Sequence, residues 1–165
     1  VDSARRLESA GAQGLVIAAN TMHRVYDQVA EAVSIPLLHI ADAVGDAMQA
    51  AECESAAILG TRTVMTENFY RQRLIAHGVE LLPPNPEDVE MVDGIIYKEL
   101  MLGRVTRDAE RALKTLITSK DKEGADAIVL ACTELELVVD TRANVLPVFD
   151  STDIHCRAAA DWIIK

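Results

Sequence analysis

Two runs of apolar, largely β-branched residues stop abruptly at small or polar ones. One is Asp126-Ala-Ile-Val-Leu-Ala, which ends at Cys132-Thr133-Glu134; the other is Gly14-Leu-Val-Ile-Ala, which ends at Ala19-Asn20-Thr21. Short apolar runs of this kind read as buried strands. Further strands are expected over residues 35–40, 55–60, 79–82 and 144–148. Between them apolar residues recur at helical spacing. Residues 2–11 carry Ala4, Leu7 and Ala10 and close at Gly11. Residues 21–33 carry a stripe of Met22, Val25, Val29 and Val33, and 41–51 is rich in alanine. A helix is expected over 67–77, closed by Gly78, and long ones over 87–102 and 106–122. Thr106 suits the N-cap of the last, and Gly124 follows its end. A terminal helix opens at Ser151, and the prolines at 83, 84 and 86 make a stiff surface loop. Strands alternating with helices predict an α/β fold of parallel sheets flanked by helices. No repeat of solenoid period is visible; the two strand-end segments resemble one another, as two related lobes would.

The strand ends carry the candidate chemistry. Open α/β sheets bind ligands at the carboxyl ends of their strands, and Cys132 occupies such an end. Leu135-Glu-Leu-Val-Val139 is short and apolar enough to be a helix. If that helix starts at Thr133, its free N–H groups and dipole should lower the thiol pKa and attract an anion. Two strand ends far apart in sequence suggest one cleft with two walls.

Composition narrows the setting. A chain of 165 residues can bury a substantial core, and with half its residues apolar but only 4% aromatic, that core is built from Ala, Val, Leu and Ile. A net charge of −10 argues against nucleic acid and anionic membrane as partners. No apolar run approaches the ~18 residues of a membrane span, and the polar Asp2-Ser-Ala-Arg-Arg start is unlike a signal peptide. Three scattered cysteines make neither a disulfide framework nor a zinc pattern. A reducing cytoplasm is the expected compartment. Cys53 and Cys156, each on a helical pattern, are expected as small buried apolar residues.

Ala19-Asn20-Thr21-Met22-His23 together with Ala131-Cys132-Thr133-Glu134 resembles the aspartate/glutamate racemase family, whose members need no pyridoxal phosphate. Leu38-His39-Ile40-Ala41-Asp42, Leu59-Gly60-Thr61-Arg62 and Leu146-Pro147-Val148-Phe149-Asp150 with Ile154-His155 match in the same order. The resemblance implies two parallel-sheet lobes, residues 1–41 plus 146–165 forming the first and 42–145 the second. It implies cofactor-independent racemisation of an acidic amino acid, aspartate or glutamate, in a homodimer. Cys132 is then an acid/base, with Asn20, Thr21, Thr61, Thr133 and Glu134 as substrate contacts. His155 and Lys98 are further candidates, and no metal or other cofactor is implied.

Two departures qualify this picture. Ala19 stands where the family has its first acid/base, and the family's opening strand–loop–helix–strand is not seen, so the first lobe is expected without its N-terminal βαβ part. A methyl group cannot exchange a proton. The chain is therefore an impaired racemase, a protein that binds a small carboxylate or an assembly partner without catalysis, or a single-cysteine decarboxylase related to arylmalonate decarboxylase. Plainer roles stand beside the functional ones. Asn20 and Thr21 also suit helix capping, and Glu134 suits a first-turn carboxylate. His23 and His155 are expected as ordinary part-buried histidines, and Lys98 as a solvated lysine.

Overall fold

The computed structural model of the chain describes residues 1–164. In chain order its elements are α1 (Asp2–Ser9), β1 (Leu15–Val16), a 3₁₀ turn at Thr21–Val25, α2 (Tyr26–Ala30), β2 (Leu37–Leu38), α3 (Ile40–Ala50) and β3 (Ser55–Gly60). There follow α4 (Arg62–Thr66), α5 (Asn68–Ala76), β4 (Glu80–Leu81), α6 (Pro86–Lys98), a 3₁₀ turn at Leu100–Leu102, and α7 (Arg107–Lys122). The chain closes with β5 (Ala127–Ala131), a 3₁₀ turn at Leu135–Leu137, β6 (Val148–Asp150) and α8 (Ser151–Ile163). All described strand pairs are parallel: β1 with β2 in a small sheet, and β4-β3-β5-β6 in a larger one.

The larger sheet is covered on both faces, which is why its central strands read as unbroken apolar runs. Alternate residues of β3 and β5 point to opposite sides. Ala57, Leu59, Ile128 and Leu130 pack with Val92 and Ile96 of α6 and Leu113 and Ile117 of α7. Ala56, Ile58, Ala127 and Val129 pack with Val44 and Met48 of α3 and Tyr70 and Leu74 of α5. Thr106 caps α7 as expected, its hydroxyl accepting from the Ala109 N–H at 3.1 Å. No helix among the described residues is long and apolar enough to cross a membrane.

Elsewhere the structure departs from the pattern. The strand expected over 14–19 pairs only at Leu15–Val16, and that over 35–40 only at Leu37–Leu38. The single helix expected over 21–33 is a 3₁₀ turn followed by α2. The helix expected over 67–77 is preceded by a separate turn, α4, because Glu67 is extended (φ −87°, ψ 156°) and breaks the ladder. The last strand, expected over 144–148, runs over Val148–Asp150 and joins β5 in the larger sheet. Cys156 is exposed on α8 rather than buried, and Cys53 is only half-buried.

Gly60 ends β3 opposite Ala131 of β5. A Cβ built there would lie 2.8 Å from the Ala131 carbonyl oxygen, a backbone atom that cannot swing aside. Gly60→Ala is expected to cost about 1–3 kcal/mol through strand displacement, read as a lower midpoint in urea unfolding. A variant as stable as the parent would show that this strand end is not tightly held.

Candidate active site

The pairing of Gly60 with Ala131 sets the C-terminal ends of β3 and β5 side by side. The next residues on each strand, Thr61 and Cys132, thereby share one edge of the sheet, where open α/β folds collect ligands. Both are buried, at 8% and 7% exposure. Behind Thr61, the Arg62 N–H at the start of α4 donates to the Asp93 carboxylate of α6 at 2.7 Å, which anchors this strand end to a second helix.

The surroundings of the thiol reverse the expected sign of its pKa shift. Only a three-residue 3₁₀ turn follows, starting at Leu135, so no helix N-terminus of any length faces the sulfur. The Cys132 thiol instead donates to Oε2 of Glu134 at 3.0 Å, and the Thr133 hydroxyl donates to the same oxygen at 2.7 Å. Burial foremost, then the Glu134 carboxylate, push the thiol up to about 12 against the opposing backbone N–H groups of Glu134 and Leu135. Burial also raises Glu134, but the hydrogen bonds from Thr133 and Cys132 outweigh it and hold that carboxyl below its ordinary value. Cys132 is thus a protonated thiol resting on an ionised carboxylate. The carboxylate expected on the substrate has its Oε2 turned toward the thiol.

Three consecutive residues from the other strand end are each tied to a different element. The Ala19 carbonyl accepts from His23 Nδ1 at 3.0 Å. Asn20, 3% exposed, donates through Nδ2 to Ser151 Oγ at the start of α8, at 3.0 Å, while its Oδ1 is buried without a partner among the described residues. The hydroxyls of Thr21 and Thr61 lie 2.9 Å apart. Residues more than 100 positions apart in sequence are thereby brought to one region, and neither Asn20 nor Thr21 caps its helix.

A cavity of about 110 Å³ opens between β1, the loop after Cys132 and α8. Ala19, Thr133 and His155 line it, with Ile40 and Thr152. His155 is 6% exposed, its Nε2 is buried with no partner among the described residues, and burial lowers its pKa although a bond to the Leu38 backbone opposes this. Lys98 is exposed at the last turn of α6 and is not among the lining residues. Sequence reasoning missed Ser151 and Thr152. An Asp150 N-cap with small hydroxyl residues following a strand was the available signal, since Asp150 accepts from the Thr152 N–H at 2.8 Å.

The family model described as Asp/Glu/hydantoin racemase matches residues 1–159. The chain is 26% identical over 152 residues to the broad specificity amino-acid racemase RacX of Bacillus subtilis, an alignment covering 92% of this chain and 65% of RacX. The chain thus spans about two thirds of that relative's length. The crystal structure of a putative Asp/Glu racemase from Yersinia pestis superposes with a TM-score of 0.93 at 39% identity, covering 99% of this chain and 72% of that one. An aspartate racemase homologue from Pyrococcus horikoshii superposes at 0.88 and 34% identity, with the same coverage. The two parallel sheets, the order of the strand-end motifs and the match over nearly the whole chain agree: this protein belongs to the Asp/Glu/hydantoin racemase family.

Proposed function

We propose that Cys132 exchanges a proton with the α carbon of an amino acid, in cofactor-independent racemase chemistry, and that aspartate or glutamate is the substrate. The observation that carries this reading is the Cys132 thiol at a strand end, donating to Glu134 at 3.0 Å. Such a thiol is an acid. It gives its proton to an α carbanion and is left as a thiolate. In the reverse direction the thiolate, formed by loss of the thiol proton to solvent, takes the α proton, which restores the thiol; Glu134 stays ionised and accepts the hydrogen bond from the thiol. A base set close to a weak carbon acid in a dry site is what this chemistry requires. Asn20, Thr21, Thr61 and Thr133 supply hydroxyl and amide groups for the substrate's carboxylate and ammonium, and His155 offers its unpartnered Nε2. Ala19 supplies no proton, so the described residues serve one face of the carbon. A homodimer in the cytoplasm completes the proposal, supported by the family resemblance.

The test is α-proton exchange in deuterated water, followed by NMR with L- and D-aspartate and L- and D-glutamate. Exchange of one enantiomer is expected, slowed about 10²–10⁴-fold by Cys132→Ser. Ala19→Cys is expected to add exchange of the other enantiomer. No exchange by the parent or by Ala19→Cys, with dicarboxylate binding retained, would replace this reading with non-catalytic binding. A second reading also draws on Ala19: one-sided protonation after loss of carbon dioxide. Turnover of a malonate-type acid without amino-acid exchange would favour it.

A further inference from the structure

We infer that His23 is a positioning residue for the site loop, the imidazole that fixes where residue 19 and its neighbours stand. His23 is 1% exposed, within a turn whose neighbour Met22 faces solvent. A carbonyl can only accept, so the 3.0 Å contact with Ala19 requires the proton on Nδ1. The Ile40 N–H points at Nε2 from 3.2 Å, so that nitrogen must be bare. The two bonds fix a neutral ring of one tautomer. Ile40 N–H is the first donor of α3, one of the groups that a helix leaves unpaired. His39 takes the next, accepting from the Ala41 N–H through Nδ1 at 3.1 Å.

The ring is held from its sides as well. His39 meets it edge-on at 4.6 Å between centroids, His155 at 5.8 Å, and Tyr26 is stacked at 6.2 Å. His23 therefore joins the Ala19 peptide to the N-terminus of α3, a helix of the larger sheet's core. Asn20 and Thr21 carry the other two ties of the same loop, to Ser151 and Thr61. An acid/base or substrate contact must be held to within about half an ångström to be productive. The imidazole supplies that restraint at the one residue of the three whose side chain cannot form a hydrogen bond. Its effect on proton exchange rests on the function proposed above; its effect on the loop does not.

Three substitutions separate positioning from bulk. His23→Asn places an amide nitrogen near Nδ1 and keeps the donor to Ala19. His23→Gln reaches toward Ile40 instead, and His23→Phe does neither. Nitrogen NMR of the parent should show a protonated Nδ1 and a bare Nε2 on His23. Without any ligand, hydrogen exchange at the Met22 amide, which donates to the Ala19 carbonyl at 3.2 Å, should quicken about tenfold or more in His23→Phe and His23→Gln relative to core strands β3 and β5, and return to within about threefold of the parent in His23→Asn. Quickening of the loop and the core strands in parallel would reduce His23 to a packing residue and overturn the inference. The opposite tautomer, or an unchanged loop in His23→Phe, would overturn it as well.

Discussion

Acidifying the protein from pH 7 to pH 4 is expected to cost it on the order of 3–5 kcal/mol of stability. The cost falls mainly on two histidines folded in as neutral rings. Burial holds His23 down to about 4. Burial, then the neighbouring His23, Arg73 and His155, holds His39 down to about 3. In the unfolded chain both titrate near 6.5. Between that value and their folded values the unfolded state binds protons that the folded state refuses, so stability falls as the pH falls. Above pH 6.5 neither group has an effect, and below about 3 both losses are complete. The upper limit is about 1.4 kcal/mol per pH unit for each ring, reduced here because water reaches part of the cluster. Other charges face it: Arg73 lies over the Tyr26 ring at 5.0 Å and binds Asp42 at 2.8 Å. Urea unfolding at half-unit steps of pH measures the slope. His39→Asn provides the control, because its amide oxygen still accepts from the Ala41 N–H and caps α3 while removing one titrating ring. Its slope between pH 6.5 and 4.5 should be shallower than the parent's by up to about 1.4 kcal/mol per unit. An unchanged slope would place the acid sensitivity elsewhere.

The histidines also mark where the sequence could and could not be read. The runs that became β3 and β5 are buried on both faces of a sheet, so their apolar character alone located them, and Thr106 located α7. Residues 21–33 misled because periodicity weighs hydrophobicity and ignores hydrogen bonds. It put Met22 inward, yet Met22 is 53% exposed and His23 is buried, its two nitrogens satisfied by Ala19 and Ile40. The short strands β1 and β2 were overdrawn because a strand extends only as far as its partner pairs with it. Around Cys132 the position was legible and the electrostatics were not. The expected helix shrank to one 3₁₀ turn, and the side chain two residues on folded back onto the sulfur. Spacing alone cannot tell a carboxylate that faces a ligand from one that faces its neighbour.

That carboxylate sets up the second large effect: Glu134→Gln is expected to lower the Cys132 pKa from about 12 by at least about one unit. Two of the forces that raise it come from Glu134, the hydrogen bond that holds the proton on sulfur and the negative charge that a thiolate would face. Glutamine removes the charge and offers an amide N–H to the thiolate. Burial, the largest cause, remains, so the value should stay above that of a free thiol. At a fixed mildly alkaline pH, a fall of one unit raises the thiolate population about tenfold. Thiolate absorbance titrated in a Cys53→Ser, Cys156→Ser background isolates this group from the other free cysteines. An unchanged titration would mean that Glu134 is not the thiol's partner, and the site would lose the group that holds the proton on sulfur. A lowered pKa with slower substrate exchange would have the opposite meaning. The glutamine variant forms thiolate more readily but has lost the carboxylate that holds the proton on sulfur, so the two results together would separate a need for thiolate from a need for the protonated thiol as acid.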